Sequence, residues 1–259
     1  MGEKSQFWEA VVMRIHGSLN ILPISMQIRA PMYASCHYKL NGGTIRMIQA
    51  FIFDMDGVLI DSEPLHFAGD IDTMKHLGEE ITQEELERFV GTTNPEMWAI
   101  IRAERGLSQT VEEIIAYQLA GKIKALEESA YEPIDGIPEL LEELKRRGIP
   151  VGLASSSARE FILAVLAKFG IASYFSCVVS GEEVARGKPA PDVYLEAARQ
   201  LGADPRGCVV LEDSRNGILA AKAAGMTCIG YVNENSGNQD LSAADRVVRS
   251  IREIAAIAL

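Results

Sequence analysis

Ile48-Gln49-Ala50-Phe51-Ile52-Phe53-Asp54-Met55-Asp56-Gly57-Val58-Leu59-Ile60-Asp61-Ser62 (48–62) is the stretch that decides the fold. Its first half, Ile48–Asp54, is a short apolar run rich in β-branched and aromatic residues, the pattern of a strand covered on both faces. Pro150–Ala154, Cys177–Ser180, Cys208–Leu211 and Thr227–Tyr231 read the same way. Helical patterns fill the gaps at Pro138–Arg147, Ala158–Phe169, Asp192–Leu201 and Arg215–Ala224. A glycine follows each helix (Gly148, Gly170, Gly202, Gly225), where a left-handed residue closes it. Strand, helix, glycine, strand, repeated, predicts an α/β fold with a doubly wound, Rossmann-like parallel sheet.

Residues 62–130 break this rhythm. They hold helical patterns at His66–Leu77, Thr82–Val90, Asn94–Arg105 and Val111–Glu127, and no convincing strand. Open parallel sheets bind ligands beyond the carboxyl ends of their strands, and the insert leaves from the end of the first one. The expectation is a helical cap domain at 62–130 over a core domain made of 47–61 and 131–259.

The 259 residues, 47% hydrophobic and 24% charged, are enough for a sizeable core. No apolar run reaches the ~18 residues of a membrane-spanning helix. Four cysteines (Cys36, Cys177, Cys208, Cys228) form no CxxC pair, so neither a disulfide framework nor a zinc knuckle is indicated. A net charge of −11 disfavours nucleic-acid binding. Residues 1–46 differ from the rest, with five Lys or Arg against two Glu, a net of +3 that leaves −14 for residues 47–259. They show no sustained period, and the reading is an extension outside the catalytic fold, with the functional chain starting at Met47. A secretory or organelle leader fits poorly, and the expected location is cytoplasmic.

Polar residues gather where the strands stop. The first strand ends in Asp54-Met55-Asp56-Gly57, the second in Ser155-Ser156-Ser157, and the fourth in Glu212-Asp213-Ser214. Lys188-Pro189-Ala190-Pro191-Asp192 follows the third. Taken singly, each has a duller reading as a turn or helix cap. Together, in order on one sheet, they supply what phosphoryl transfer needs. A carboxylate approaching a phosphate dianion meets repulsion on the order of 4 kcal/mol per charge pair at ~4 Å and effective dielectric ~20. A hard dication on oxygen ligands offsets most of it, and Lys188 neutralises a further phosphate oxygen. In this reading Asp54 is the nucleophile and Asp213 a metal carboxylate. Asp56 protonates the leaving oxygen, and Ser155 with nearby amides donates to the transferring oxygens.

Phe-Asp-Met-Asp-Gly-Val-Leu-Ile-Asp-Ser-Glu (53–63), Leu-Ala-Ser-Ser-Ser (153–157), Gly-Lys-Pro-Ala-Pro-Asp (187–192) and Leu-Glu-Asp-Ser (211–214) resemble the four motifs of the haloacid dehalogenase superfamily. The likeness spans 47–259 and is greatest to the β-phosphoglucomutase and sugar-phosphate phosphatase branch. It implies that Asp54 becomes an aspartyl phosphate and that Asp56 is the acid/base, its main-chain carbonyl also binding Mg2+. It further implies that Asp213 is a metal ligand with Glu212 beside it, that Ser155 (with Ser156 next to it) binds the phosphoryl group, and that Lys188 stabilises its charge. Dehalogenation is a poor fit, because the family's dehalogenases lack the aspartate at the position of Asp56.

Phosphatase and mutase are separated by the cap. His66 stands at a position the phosphoglucomutases use near the acid/base. Their cap lysine and arginine, around a Gly-Val-Ser-Arg stretch, meet Val90-Gly91-Thr92-Thr93-Asn94 here, so both cations are lost. That loss favours release to water. Gly91, Thr92 and Thr93 would face the leaving group, and Trp98 lines that face or belongs to the core. The expectation is a Mg2+-dependent phosphatase, a monomer or small homo-oligomer, whose partner is a small phosphorylated substrate. A phosphomutase is the runner-up, and a binding protein that has lost turnover comes third.

Overall fold

The computed structural model describes residues 37–38, 46–89 and 92–256. Six strands form one parallel sheet: β3 (Ala50–Phe53), β4 (Val151–Ser155), β5 (Phe175–Ser180), β6 (Cys208–Glu212), β7 (Thr227–Tyr231) and β8 (Arg246–Val248). Their order is β5-β4-β3-β6-β7-β8, so the chain winds outward from β3 in both directions. That is the doubly wound sheet the alternation predicts. The edge strand β8 and the helix after it, α9 (Arg252–Ala256), had no periodic signal; β8 is three residues long and only Val248 is buried.

Because successive side chains of a strand point to opposite faces, β3 feeds two cores. Phe51 and Phe53 pack under α5 (Ile137–Arg146) and α6 (Arg159–Lys168), through residues such as Leu141, Leu144, Ile162 and Val165. Ala50 and Ile52 face α7 (Asp192–Leu201) and α8 (Arg215–Ala223), through Tyr194, Ala197, Ile218 and Ala221. The small residues on that second face let both helices approach closely. Gly148, Gly170, Gly202 and Gly225 all adopt positive φ after their helices, as expected.

Between β3 and α5 lie α1 (Glu63–His76), α2 (Gln83–Glu87), α3 (Asn94–Arg105) and α4 (Val111–Glu128), with no strand among the described residues. α1 begins three residues before the expected start, with Pro64 in its first turn where the missing N–H costs nothing. α2 is shorter than its pattern and opens with a capping box between Thr82 and Glu85. These helices share an apolar cluster of their own that includes Met74, Leu86, Trp98, Ile101 and Ile114, whereas Leu65 and Leu126 join the main core. Trp98 is fully buried in the cluster, which settles its role as core and removes it from the leaving-group face.

Most of the 1–46 extension and Gly91 lie outside the described residues. Within them, β1 (His37–Tyr38) pairs antiparallel with β2 (Arg46–Met47), a two-residue ladder too short to show as a period.

Candidate active site

The strand register brings the polar groups together. Phe53 lies beside Leu153 on one side and Leu211 on the other, so Asp54 emerges level with Ala154 and Glu212, one residue short of Ser155 at the carboxyl end of β4. After Asp54 the chain curls tightly. The Met55 carbonyl accepts from the amides of Val58 (3.2 Å), Leu59 (2.8 Å) and Ile60 (3.3 Å), and Gly57 N donates to Ile60 O at 2.8 Å. Met55, Val58, Leu59 and Ile60 are all fully buried, which anchors the curl in the core. Gly57 sits at φ +74, and a Cβ there would lie 2.0 Å from Asp213 Oδ2, so only glycine lets this turn close on the fourth motif.

Lys188 is the hub. Its Nζ donates to Asp54 Oδ1 at 2.8 Å and to Glu212 Oε1 at 2.6 Å, with all three side chains at most 9% exposed. Tyr194, one of the fully buried residues of α7, donates its hydroxyl to Glu212 Oε1 at 2.9 Å and places its ring 4.9 Å from Lys188 Nζ. The other Glu212 oxygen accepts from Ser214 N and Oγ, both at 2.9 Å. A Cβ at Gly217 would lie 1.5 Å from Glu212 Oε1, so the first turn of α8 is open for that carboxylate. Burial pushes the Lys188 ammonium towards neutrality, but Asp54 and Glu212 outweigh it and hold its pKa above the ordinary value.

Asp56 is bound by four side chains. Ser62 Oγ donates at 2.6 Å and His66 Nε2 lies 3.1 Å away on Oδ1; Ser157 Oγ donates at 2.7 Å and Ser155 Oγ at 3.2 Å on Oδ2. Burial alone would raise this carboxyl, yet the hydrogen bond and charge of His66, with the Ser62 and Ser157 hydroxyls, hold it well below its ordinary value. Asp56 is therefore a carboxylate in this arrangement.

Asp54, Glu212 and Asp213 bring ligand oxygens within 4.8 Å of one another, all three buried. Burial raises the Asp54 carboxyl, with Glu212, Asp213 and Asp56 adding to the push and Lys188 opposing it. Burial, and then Glu212, pushes Asp213 up to about 7. Three buried carboxylates against one ammonium leave a surplus of negative charge on oxygen donors. That set fits a hard divalent cation.

The structure thus gathers Asp54, Asp56, Ser155, Lys188, Glu212 and Asp213, and adds His66. Ser156 is exposed, and Thr92 and Thr93 make no side-chain hydrogen bond to these carboxylates. Four participants escaped the sequence reading: Ser62, Ser157, Tyr194 and Ser236, whose hydroxyl donates to Asp213 Oδ2. Ser62 and Ser157 stand inside the quoted motifs. Tyr194 and Ser236 carry no local signal, since one looks like a core aromatic and the other like loop.

A family model described as haloacid dehalogenase-like hydrolase matches residues 51–231, more than half of the chain. Hexitol phosphatase B of Escherichia coli (strain K12) is 39% identical over 190 residues, covering 72% of this chain and 84% of that protein. The phosphorylated carbohydrates phosphatase of Thermotoga maritima is 33% identical over 198 residues, 76% of this chain and 91% of its own. Among solved structures, CbbY from Rhodobacter sphaeroides in complex with phosphate superposes with a TM-score of 0.75 at 30% identity, over 82% of this chain and 100% of that one.

Proposed function

The chain belongs to the haloacid dehalogenase-like hydrolase family, and from that membership we propose that it is a Mg2+-dependent phosphatase acting on a small sugar or polyol phosphate through an aspartyl phosphate at Asp54. The observation that carries this reading is the buried Lys188 ammonium shared between Asp54 and Glu212. It holds one oxygen of the nucleophile and leaves Oδ2 without a hydrogen-bond partner among the described residues. That oxygen is the one available to attack phosphorus.

Asp54, Asp213 and the Asp56 carbonyl would hold the cation, with Glu212 beside them. When bound, the metal neutralises charge on the nucleophile and the phosphate together. Glu212 has both oxygens engaged by Lys188, Tyr194 and Ser214, so its main task is to aim the lysine. Asp56 moves the proton. An incoming phosphoryl oxygen competes with Asp56 for the Ser155 hydroxyl. Losing that donor raises the Asp56 pKa, so that the carboxyl can take up a proton from solvent and pass it to the leaving oxygen. Afterwards the same carboxylate accepts a proton from the water that attacks the aspartyl phosphate.

Residues 62–130 act as the cap, presenting Thr92 and Thr93 to the leaving group, and residues 1–46 stay outside the chemistry. A phosphomutase is the second reading, favoured by the His66 contact with Asp56 at 3.1 Å. Phosphate release from a panel of sugar and polyol phosphates, with and without Mg2+, tests the proposal, with β-glucose 1-phosphate also assayed for isomerisation. Metal-dependent release supports the phosphatase. Isomerisation without free phosphate establishes the mutase instead.

A further inference from the structure

The loop that follows β7 is stitched to the carboxyl end of the sheet by the side chains of Asn233, Asn235 and Ser236. Asn233 Nδ2 donates to the Gly57 carbonyl at 3.0 Å. Asn235 Nδ2 donates to Asp61 Oδ2, at the last residue before the insert, and Ser236 Oγ donates to Asp213 Oδ2. Gly57 directly follows Asp56, so the loop touches both segments that carry candidate cation ligands.

The loop is held from two sides. Asn235 N donates to Asn233 Oδ1 at 2.9 Å and Ser236 N to Asn233 O at 3.3 Å, a turn closed by the asparagine side chain. Gln239 Nε2 donates to the Ser236 carbonyl at 2.9 Å, and Gln239 Oε1 accepts at 3.1 Å from the amide of Arg215, two residues after Asp213. Ser236 is thus fixed to the Gly57 turn through Asn233 and to the start of α8 through Gln239. The fit is close, because a Cβ at Gly57 would lie 2.7 Å from Ser236 Oγ. Among the described residues, Ser236 is the only side chain that hydrogen-bonds Asp213, whereas Glu212 beside it accepts from Lys188, Tyr194 and Ser214. A carboxylate turns about its last bond, and each orientation presents its oxygens differently. The hydroxyl on Oδ2 holds that plane and leaves Oδ1 without a side-chain partner among the described residues. Outer partners of this kind orient ligands and tune how tightly a metal is held.

Resting on the proposed Mg2+-dependent chemistry, we propose that Ser236 is a positioning residue for the cation site. Held by the loop, it orients the Asp213 carboxylate and so strengthens Mg2+ binding without touching metal or substrate. The test is calorimetric Mg2+ titration of the full-length protein at pH 8 without substrate, beside phosphate release followed over a range of Mg2+. Ser236→Ala should weaken Mg2+ binding about tenfold. The Mg2+ needed for half-maximal release should rise in parallel, while kcat at saturating Mg2+ stays within about threefold, because nucleophile and acid are untouched. Asn235→Ala, on the same loop but directed to Asp61, should keep Mg2+ affinity within about twofold, which separates orientation of Asp213 from general loosening of the loop. Equal or tighter binding by Ser236→Ala, or equal losses in the two variants, overturns the proposal. A parent protein that binds Mg2+ but releases no phosphate defeats the phosphatase reading and leaves the calorimetric comparison to decide this one. A parent that binds no Mg2+ removes the cation site and this inference with it.

Discussion

Replacing Lys188 by methionine keeps an unbranched side chain one atom shorter and deletes the cation at the hub. Its Nζ lies 2.8 Å from Asp54 Oδ1 and 2.6 Å from Glu212 Oε1, and the three side chains are 7%, 9% and 0% exposed. Each contact between unit charges contributes on the order of 4 kcal/mol of attraction at ~4 Å and effective dielectric ~20. The variant does not lose that sum, because the stranded carboxylates can neutralise themselves by taking up protons. Removing one partner of a buried pair costs about 3–5 kcal/mol. The pH dependence has a definite sign. Burial already raises the Asp54 carboxyl, and without the ammonium it rises further above its unfolded value. The folded protein then holds a proton that the unfolded chain has released, so stability falls as pH climbs from about 4 through the raised value. Urea unfolding should therefore show a smaller deficit at pH 5 than at pH 8. Turnover should fall by roughly 10²- to 10³-fold, the usual effect of removing one donor from a developing anionic centre. A deficit equal at both pH values, or turnover within about threefold of the parent, would refute the hub assignment.

Asp54→Asn should abolish both phosphate release and the trapped phosphoenzyme, and a labelled aspartyl phosphate on the variant would move the nucleophile elsewhere. Asp56→Asn should slow hydrolysis of a poor leaving group by about 10²- to 10⁴-fold while Mg2+ affinity stays close to that of the parent; the reverse pattern contradicts its role in proton transfer. With Asp213 pushed up to about 7, its carboxyl is increasingly protonated below that pH and lost as a ligand. Calorimetric Mg2+ affinity should accordingly drop between pH 8 and pH 6, and a flat profile rules Asp213 out as a titrating ligand. Gly217→Ala places a carbon 1.5 Å from Glu212 Oε1, so Glu212 must move; a stability loss of about 1–3 kcal/mol should accompany reduced turnover, measurable by thermal unfolding and phosphate release.

The four motifs were legible because each sits where a strand ends, and strand ends are marked by a change from β-branched residues to polar ones. Asp54, Lys188, Glu212 and Asp213 could therefore be placed at one end of the sheet before any coordinates. Trp98 was ambiguous, since a tryptophan at helical spacing packs equally well into a cap core or a ligand face. The partners of Asp56 show the limit most clearly. Ser62 and Ser157 are separated by 95 positions in the sequence, yet both donate to one carboxylate.

Local pattern determined the alternation of strands and helices, the helical insert and the acids and lysine at the strand ends, because those properties depend on the periods of a strand and a helix. Tertiary structure alone decided the rest. The parallel register sets Asp54 beside Ala154 and Glu212, the Gly57 turn closes on Asp213, and Tyr194 reaches Glu212 at the end of β6 from helix α7. The hydrogen bonds from Gln118 to Asp70 and Asn94 likewise join three helices that share no sequence pattern. Such contacts come from how the layers pack, and burial then sets the charge state of each group. The low pKa of Asp56 and the raised one of Asp213 follow from the neighbours that packing supplies, although the two residues are the same amino acid.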